Sequence, residues 1–385
     1  MINLAQKLKT IAVKLEIRGN SLFCYPVEKQ KRYIAHFPEP EDDIQRSYFQ
    51  YRCQMKLNDW IVSFVINLAS FPLLLFYLLK RADVQKSDKE SISALFFSDG
   101  KPENIIPEIL RNDVGKIEVV NEKKEALTKS DKFFILAVWK RYPFSFHFIL
   151  KSLLKIRFYS YAIQKMGPQT IIVCNEYSFT SSILTKYCEE QGIRHVNVMH
   201  GEKLFFMRDS FFRFHECYVW DDFYKELFKK LKAEPNQFKI AVPQSLKFTE
   251  REIVQKTVDF TYYLGAERGN LLICIVKSME RLRIQGLSVA IRPHPRYSDL
   301  EEIRRFSPLI EIEDCKTMTI EQSLKRTKNA ISVYSTVLNQ AFNNDIGIVI
   351  DDVSDKKKYD LLNERLYCMT NKPHELLSQL LKESA

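Results

Sequence analysis

The sequence predicts an α/β protein of two domains, each a sheet of parallel strands wrapped by helices and facing a cleft, behind a mainly helical N-terminal extension. Three observations predict it. Short apolar runs alternate with helical runs from about residue 90 to about residue 350. With 385 residues the chain exceeds what one hydrophobic core usually organises. Gly192 follows a helical run, and Pro243 and Pro293 follow strand runs, which are the residues expected to close such elements.

Residues 1–90 lack clear alternation and are read as the extension. Within it, twenty uncharged residues run from Trp60 to Leu79 between Asp59 and Lys80-Arg81. That length suffices to cross a bilayer, while Ser63, Asn67, Ser70 and Pro72 weigh against a span. A span, an in-plane helix at a membrane surface and a buried core helix all stay open.

The first domain, 91–248, opens with a strand at 93–97, a turn at Asp99-Gly100, a helical run through Leu110 and a strand at 116–120. From Lys132 to Lys165 aromatic residues interleave with Lys and Arg, either as a surface for anionic lipid or as an amphipathic helix with a solvated basic face. Strand 170–174, helix 179–191 and strand 194–199 form a βαβ unit. Strands at 216–220 and 238–242 enclose a helix at 221–231. A polar helical stretch at 249–258 leads into the second domain, 249–385. There strands at 260–264, 287–291, 309–312, 330–333 and 346–350 alternate with helices at 271–285, 300–305, 320–326 and 337–342.

Composition narrows the function classes. Hydrophobic residues are 45% and charged residues 28%, which excludes a disordered chain. The net charge of +10 points to an acidic partner. The basic residues are not confined to one run and no nucleic-acid motif occurs, so nucleic acid is not the expected partner. Eight scattered cysteines without C-x-x-C spacing predict reduced thiols and no metal centre. The start lacks a secretory leader, so the expected place is the cytoplasm, at the inner face of the cell membrane.

Ligands of such sheets sit beyond the carboxyl ends of the strands, and the notable residues fall there. Arg292-Pro293-His294-Pro295-Arg296 ends an apolar strand at a rigid basic corner suited to a phosphate. Ser335-Thr336 ends another strand and starts a helix, whose free N–H groups also favour phosphate. A cis-Pro turn and an ordinary N-cap are the plainer readings of these two motifs. Glu313-Asp314 at a third strand end could accept from a base or ribose, or form a solvated loop; Gln340 is a further ribose candidate. His200, before Gly201, is the candidate general base, with Glu202 or Glu176 to orient it; a strand-end histidine satisfied by a carbonyl is the alternative. Asp99, Gly100, Asn175, Glu176 and Gly201 are the acceptor-side candidates.

Taken together, Asn175-Glu176-Tyr177-Ser178, Met199-His200-Gly201, Tyr218-Val219-Trp220-Asp221, Arg292-Pro293-His294-Pro295 and Tyr334-Ser335-Thr336 give the chain its family look. Over roughly residues 90–350 it resembles the bacterial GT-B glycosyltransferases of surface-polysaccharide synthesis. The nearest look is to CMP-sugar users, the sialyltransferase and polysialyltransferase group and the capsule Kdo transferases, with a related pattern in CDP-glycerol polyol-phosphate transferases. The resemblance implies two Rossmann-like domains, a CMP-sugar donor, a glycan or lipid-linked glycan acceptor, and inversion without a metal or other cofactor. It places the base at His200, the phosphate contact at His294, and a second phosphate contact at Ser335 and Thr336. The chain departs from the sialyltransferases at Met199-His200-Gly201, where they carry two acids and Gly. A His-Gly pair is the polyol-phosphate transferase pattern, which keeps transfer from a CDP-alcohol as an alternative. A non-catalytic membrane or nucleic-acid binding protein is the third.

Overall fold

A computed structural model describes residues 23, 25–80, 82, 92–98, 100–120, 124–249 and 255–382. The chain divides into two compact units, Met1–His200 with Phe205–Val242, and Gly201–Leu204 with Pro243–Ala385. Each holds one six-stranded sheet in which every strand pair is parallel.

The first unit begins with α1 (Val27–Ala35), α2 (Asp43–Leu57) and α3 (Trp60–Leu79). Then come β1 (Ala94–Phe96), α4 (Pro102–Ile105), α5 (Glu108–Val114), β2 (Ile117–Val119), α6 (Lys129–Arg141) and α7 (Phe146–Met166). It closes with β3 (Thr170–Val173), α8 (Ser181–Glu190), β4 (Arg194–Val198), β5 (Glu216–Val219), α9 (Asp222–Lys230) and β6 (Phe238–Ile240). The sheet order is β2-β1-β3-β4-β5-β6. Strands β1 and β3 are buried at every position, which is why they read as continuous apolar runs without alternation. The single helical run expected through Leu110 is two helices, because Pro107 cannot donate into the preceding turn.

The described N-terminal helices are not an appendage. Arg46 of α2 donates to the Lys232 carbonyl (3.1 Å) and pairs with Glu234 (2.9 Å). Ser47 accepts from the Ile183 amide (2.8 Å), and Gln50 donates to the Glu176 and Arg208 carbonyls (both 3.0 Å). The basic aromatic segment folds as α6 and α7, and α7 buries Phe148, Leu153, Ile156 and Tyr159. Its amphipathic alternative is therefore the one realised for α7.

The second unit runs β7 (Val258–Tyr263), α10 (Gly269–Ile284), β8 (Val289–Arg292), α11 (Leu300–Phe306), β9 (Glu311–Ile312) and α12 (Ile320–Arg326). It continues with β10 (Thr327–Ser332), α13 (Thr336–Phe342), β11 (Gly347–Ile350), α14 (Lys356–Glu364), β12 (Glu375–Leu376) and α15 (Leu377–Leu380). Its order, β12-β11-β10-β7-β8-β9, is that of a doubly wound sheet reversing between β7 and β10. Leu272, Ile275, Met279 and Leu282 of α10 pack on Phe260, Tyr262, Ile291 and Ile331. The helix expected over 249–258 gives way at its end to β7, whose Val258 is buried and pairs with Thr327; residues 250–254 lie outside the described part.

Candidate functional site

The second unit's switch point gathers three strand ends. Strands β10 and β8 flank β7, so the loops after all three adjoin. Pro293 and Pro295 form a trans corner, since the described residues contain no cis peptide bond; the cis-Pro turn does not occur. The His294 amide donates to Ser298 Oγ (2.8 Å), and that hydroxyl donates to the Gly265 carbonyl (3.0 Å), which ties the corner to the loop after β7. The Arg296 amide donates to His294 Nδ1 (3.1 Å). In the neutral ring the proton then sits on Nε2, which becomes a donor. Burial, and then the nearby Arg296 charge, lower the His294 pKa below its ordinary value against the opposing pull of Glu267. Tyr297 stacks on the ring at 4.5 Å.

Arg292, expected to face a phosphate, and Glu313, expected to face a base or ribose, both turn inward. Arg292 and Glu313 are buried and joined by a 3.0 Å ion pair. Arg292 Nη2 also donates to the Met318 carbonyl (2.8 Å), and Ser323 donates to Glu313 (2.6 Å). The cause is register: Ile291 lies opposite Ile312 across β8 and β9, which brings Arg292 and Glu313 to adjacent strand ends. Both of these contacts of the Glu313 carboxylate fall on Oε2, while its Oε1 is buried without a hydrogen-bond partner, so the pair is held on one side only. The two brace the corner and are not assigned ligand contacts. Asp314 is exposed and accepts from the Lys316 amide (2.8 Å) as a turn residue. Pro295 and Arg296 are exposed.

At the end of β10, Ser335 caps α13 by accepting from the Val337 amide (3.2 Å), the plain N-cap, and Thr336 is exposed as the first helical residue. Gln340 is buried, and its carbonyl accepts from Asn344 (2.6 Å). Glu202 accepts from Asn339 of α13, so its carboxylate is committed inside this unit. Gly201 has φ +78°, a conformation that favours glycine, and open space where a Cβ would point.

The first unit holds the other candidates. His200 is exposed just past β4. Asn175, by its backbone, and Glu176, by its carboxylate, are tied to β4. The Asn175 amide donates to Asn197 Oδ1 (2.7 Å), and Asn197 Nδ2 donates to the buried Glu176 (3.1 Å). This clamps the turn between β3 and α8 to β4. Gly100 donates to Ser98 Oγ (3.1 Å), and Asp99 lies outside the described residues. The histidine within β4, His195, is wholly enclosed between Thr185 (2.8 Å) and Tyr159 (3.0 Å).

Sequence reasoning passed over the turn Gly265-Ala266-Glu267-Arg268-Gly269. Its signal is two glycines bridging a strand and a helix at the first βα turn, where doubly wound sheets bind phosphate. Here the Gly265 amide donates to Glu267 and the Gly269 amide to Glu302 (3.0 Å).

No family model matches the sequence, and no curated protein matches it. Among solved structures, the UDP-N-acetylglucosamine 2-epimerase from Rickettsia bellii is 9% identical with a TM-score of 0.40, over 68% of this chain and 79% of that one. The wall teichoic acid polymerase TagF is 11% identical with a TM-score of 0.41, over 87% of each chain. The lipopolysaccharide outer core galactosyltransferase WaaB in its apo form is 11% identical with a TM-score of 0.39, over 76% of this chain and 93% of that one. At this distance no site residue transfers from them.

Proposed function

We propose that this chain is a GT-B-type glycosyltransferase that moves a sialic acid- or Kdo-like sugar from a CMP-activated donor to a bacterial surface polysaccharide or glycolipid, with inversion and without a metal. The observation that carries the reading is His294. A ring held as an Nε2–H donor stands at the switch point of a doubly wound sheet, beside exposed Arg296 and across β7 from Ser335 and Thr336. A neutral imidazole donor and a guanidinium suit a phosphate whose charge grows as the sugar leaves. The base role of His200 follows from the family resemblance. It takes the proton of the acceptor hydroxyl, the oxygen attacks the anomeric carbon, and the bond to the CMP phosphate breaks with its electron pair passing to the phosphate.

The pair His200-Gly201 favours a second reading, transfer of a polyol phosphate from a CDP-alcohol with the same base. Thermal melts with CMP, CDP, UDP, GDP and ADP test the shared donor site, because a ligand of the folded state raises stability by about 2.7 kcal/mol at a hundred times its Kd. Stabilisation by CMP or CDP is expected, lost in His294→Ala and kept in His200→Ala while turnover disappears. Selectivity for UDP or GDP overturns the donor, and silence towards every nucleotide overturns the transferase. Product analysis separates the two readings, since one attaches a bare sugar and the other a phosphodiester.

A further inference from the structure

Helix α3 is inside out. The stripe turned towards the protein carries Ser63, Asn67 and Ser70 beside Leu74, at helical spacing. Ser63 donates to the Met55 carbonyl (3.2 Å) and Ser70 to the Ile66 carbonyl (2.7 Å). Asn67 donates to the Phe144 carbonyl (2.8 Å) and accepts from the His147 amide (3.1 Å). The opposite face is apolar and bare: Leu79 is 79% exposed, and Ile61, Phe64, Leu68 and Phe76 are each at least half exposed, while Trp60, in line with the polar stripe at the open start of the helix, is 75% exposed.

Of its twenty residues only Ser70 and Leu74 are buried, so it is not a core helix. A span is also a poor fit. Helix α3 lies along α7, and the enclosed Arg157 of α7 donates to the Tyr77 (2.7 Å) and Lys80 (3.3 Å) carbonyls at its end. Threading α3 through a bilayer would carry α7 and its buried charge into hydrocarbon. A bare apolar face of this length marks an interaction surface.

Charge selects the occupant. Exposed Lys80 follows α3, 3.8 Å from Glu125, and exposed Lys56 in the last turn of α2 precedes its exposed N-cap Asp59; the chain carries +10 overall. Helix α6 adds exposed Phe133 and Leu136 between exposed Lys129 and Lys140. The flanks of α6 are tied to the line of α3, by Leu127 N–H to the Ala82 carbonyl (2.9 Å) at one end and by Phe144 to Asn67 at the other. Apolar side chains rimmed by cations match an anionic lipid interface, whereas a second copy would bring the same cations together.

We infer that α3 docks lengthwise on an anionic bilayer, its apolar face among the acyl chains and the lysines of α6 and of its own C-terminal end at the headgroups. The inference goes beyond the proposed reaction and does not depend on it.

The test is flotation of the intact protein with phosphatidylcholine vesicles, with and without phosphatidylglycerol. Flotation with the anionic vesicles is expected, weakened more than about tenfold without phosphatidylglycerol or at high salt. The triple variant Phe64→Glu, Leu68→Glu, Phe76→Glu should melt as the parent does, because those side chains are already exposed, and should no longer float. Nitroxide labels introduced by Ile61→Cys, Leu68→Cys and Leu75→Cys, read against the signal of the parent treated with the same label, should report one common depth. A label deeper at 68 than at 61 and 75 means a span and overturns the inference. So does an intact protein that floats free of vesicles, a triple variant that still floats, or a dimer by light scattering that the triple variant abolishes without any vesicle binding.

Discussion

Helices α3 and α7 lie against each other and match in length, 20 and 21 residues rich in Phe, Leu and Ile, yet α7 buries ten side chains and α3 two. The difference lies in where each keeps its polar groups. Helix α7 turns Lys151 and Lys165 away from the core and encloses Arg157, with its guanidinium on Glu125 and the end of α3. Helix α3 turns its serines and asparagine inward and has no charge to turn outward. Apolar content alone does not place a helix in a core; the direction of its few polar residues does.

Acid should break the comparison most strongly. Burial, with Lys151 adding to it, lowers the pKa of His147 at the start of α7 to about 4. Burial, with His215 adding, lowers that of His195, which meets Tyr159 of α7, to about 3. Both folded-state values lie below the ordinary 6.5, so the unfolded chain binds more protons in between. Their stabilisation is fully present above about pH 6.5 and is lost as pH falls towards 4 and 3, at up to about 1.4 kcal/mol per pH unit for each histidine. Urea midpoints measured from pH 7 to pH 4 should fall steeply; a flat series would mean that the α7 face is open to water. Next in size, Arg157→Ala should cost about 3 kcal/mol by denaturant melts, the low end for a broken buried pair, because Glu125 keeps part of its surface in water. The sharpest contrast is between leucines. Leu153→Ala on α7 should cost about 2–4 kcal/mol, whereas Leu68→Ala on α3 should cost less than about 0.5 kcal/mol. Equal losses would refute the difference in burial.

Much of the fold was legible from local pattern. The βαβ unit from Thr170 to Val198 and the strand closed by Pro293 read directly, since apolar runs and breakers act over a few residues. Other elements escaped for reasons the structure supplies. Strand β10 starts at Thr327, ahead of the apolar run, because Thr327 pairs with Val258 of β7, where its hydroxyl also shares a hydrogen bond with Thr261 (2.7 Å). Strand β12 has only two residues and exists through its pairing with β11. At the candidate site, His294 was legible from Pro-His-Pro. The inward turn of Arg292 and Glu313 was not, because it depends on pairing between β8 and β9.

The sequence by itself determined the alternation of strands and helices, the basic corner at His294 and the uncharged helix at Trp60–Leu79, because each depends on near neighbours along the chain. The tertiary structure decided which polar groups are consumed as braces and which face of α3 is bare. Those outcomes depend on strand register and helix packing between residues far apart in the chain, where one residue of register exchanges the inner face for the outer.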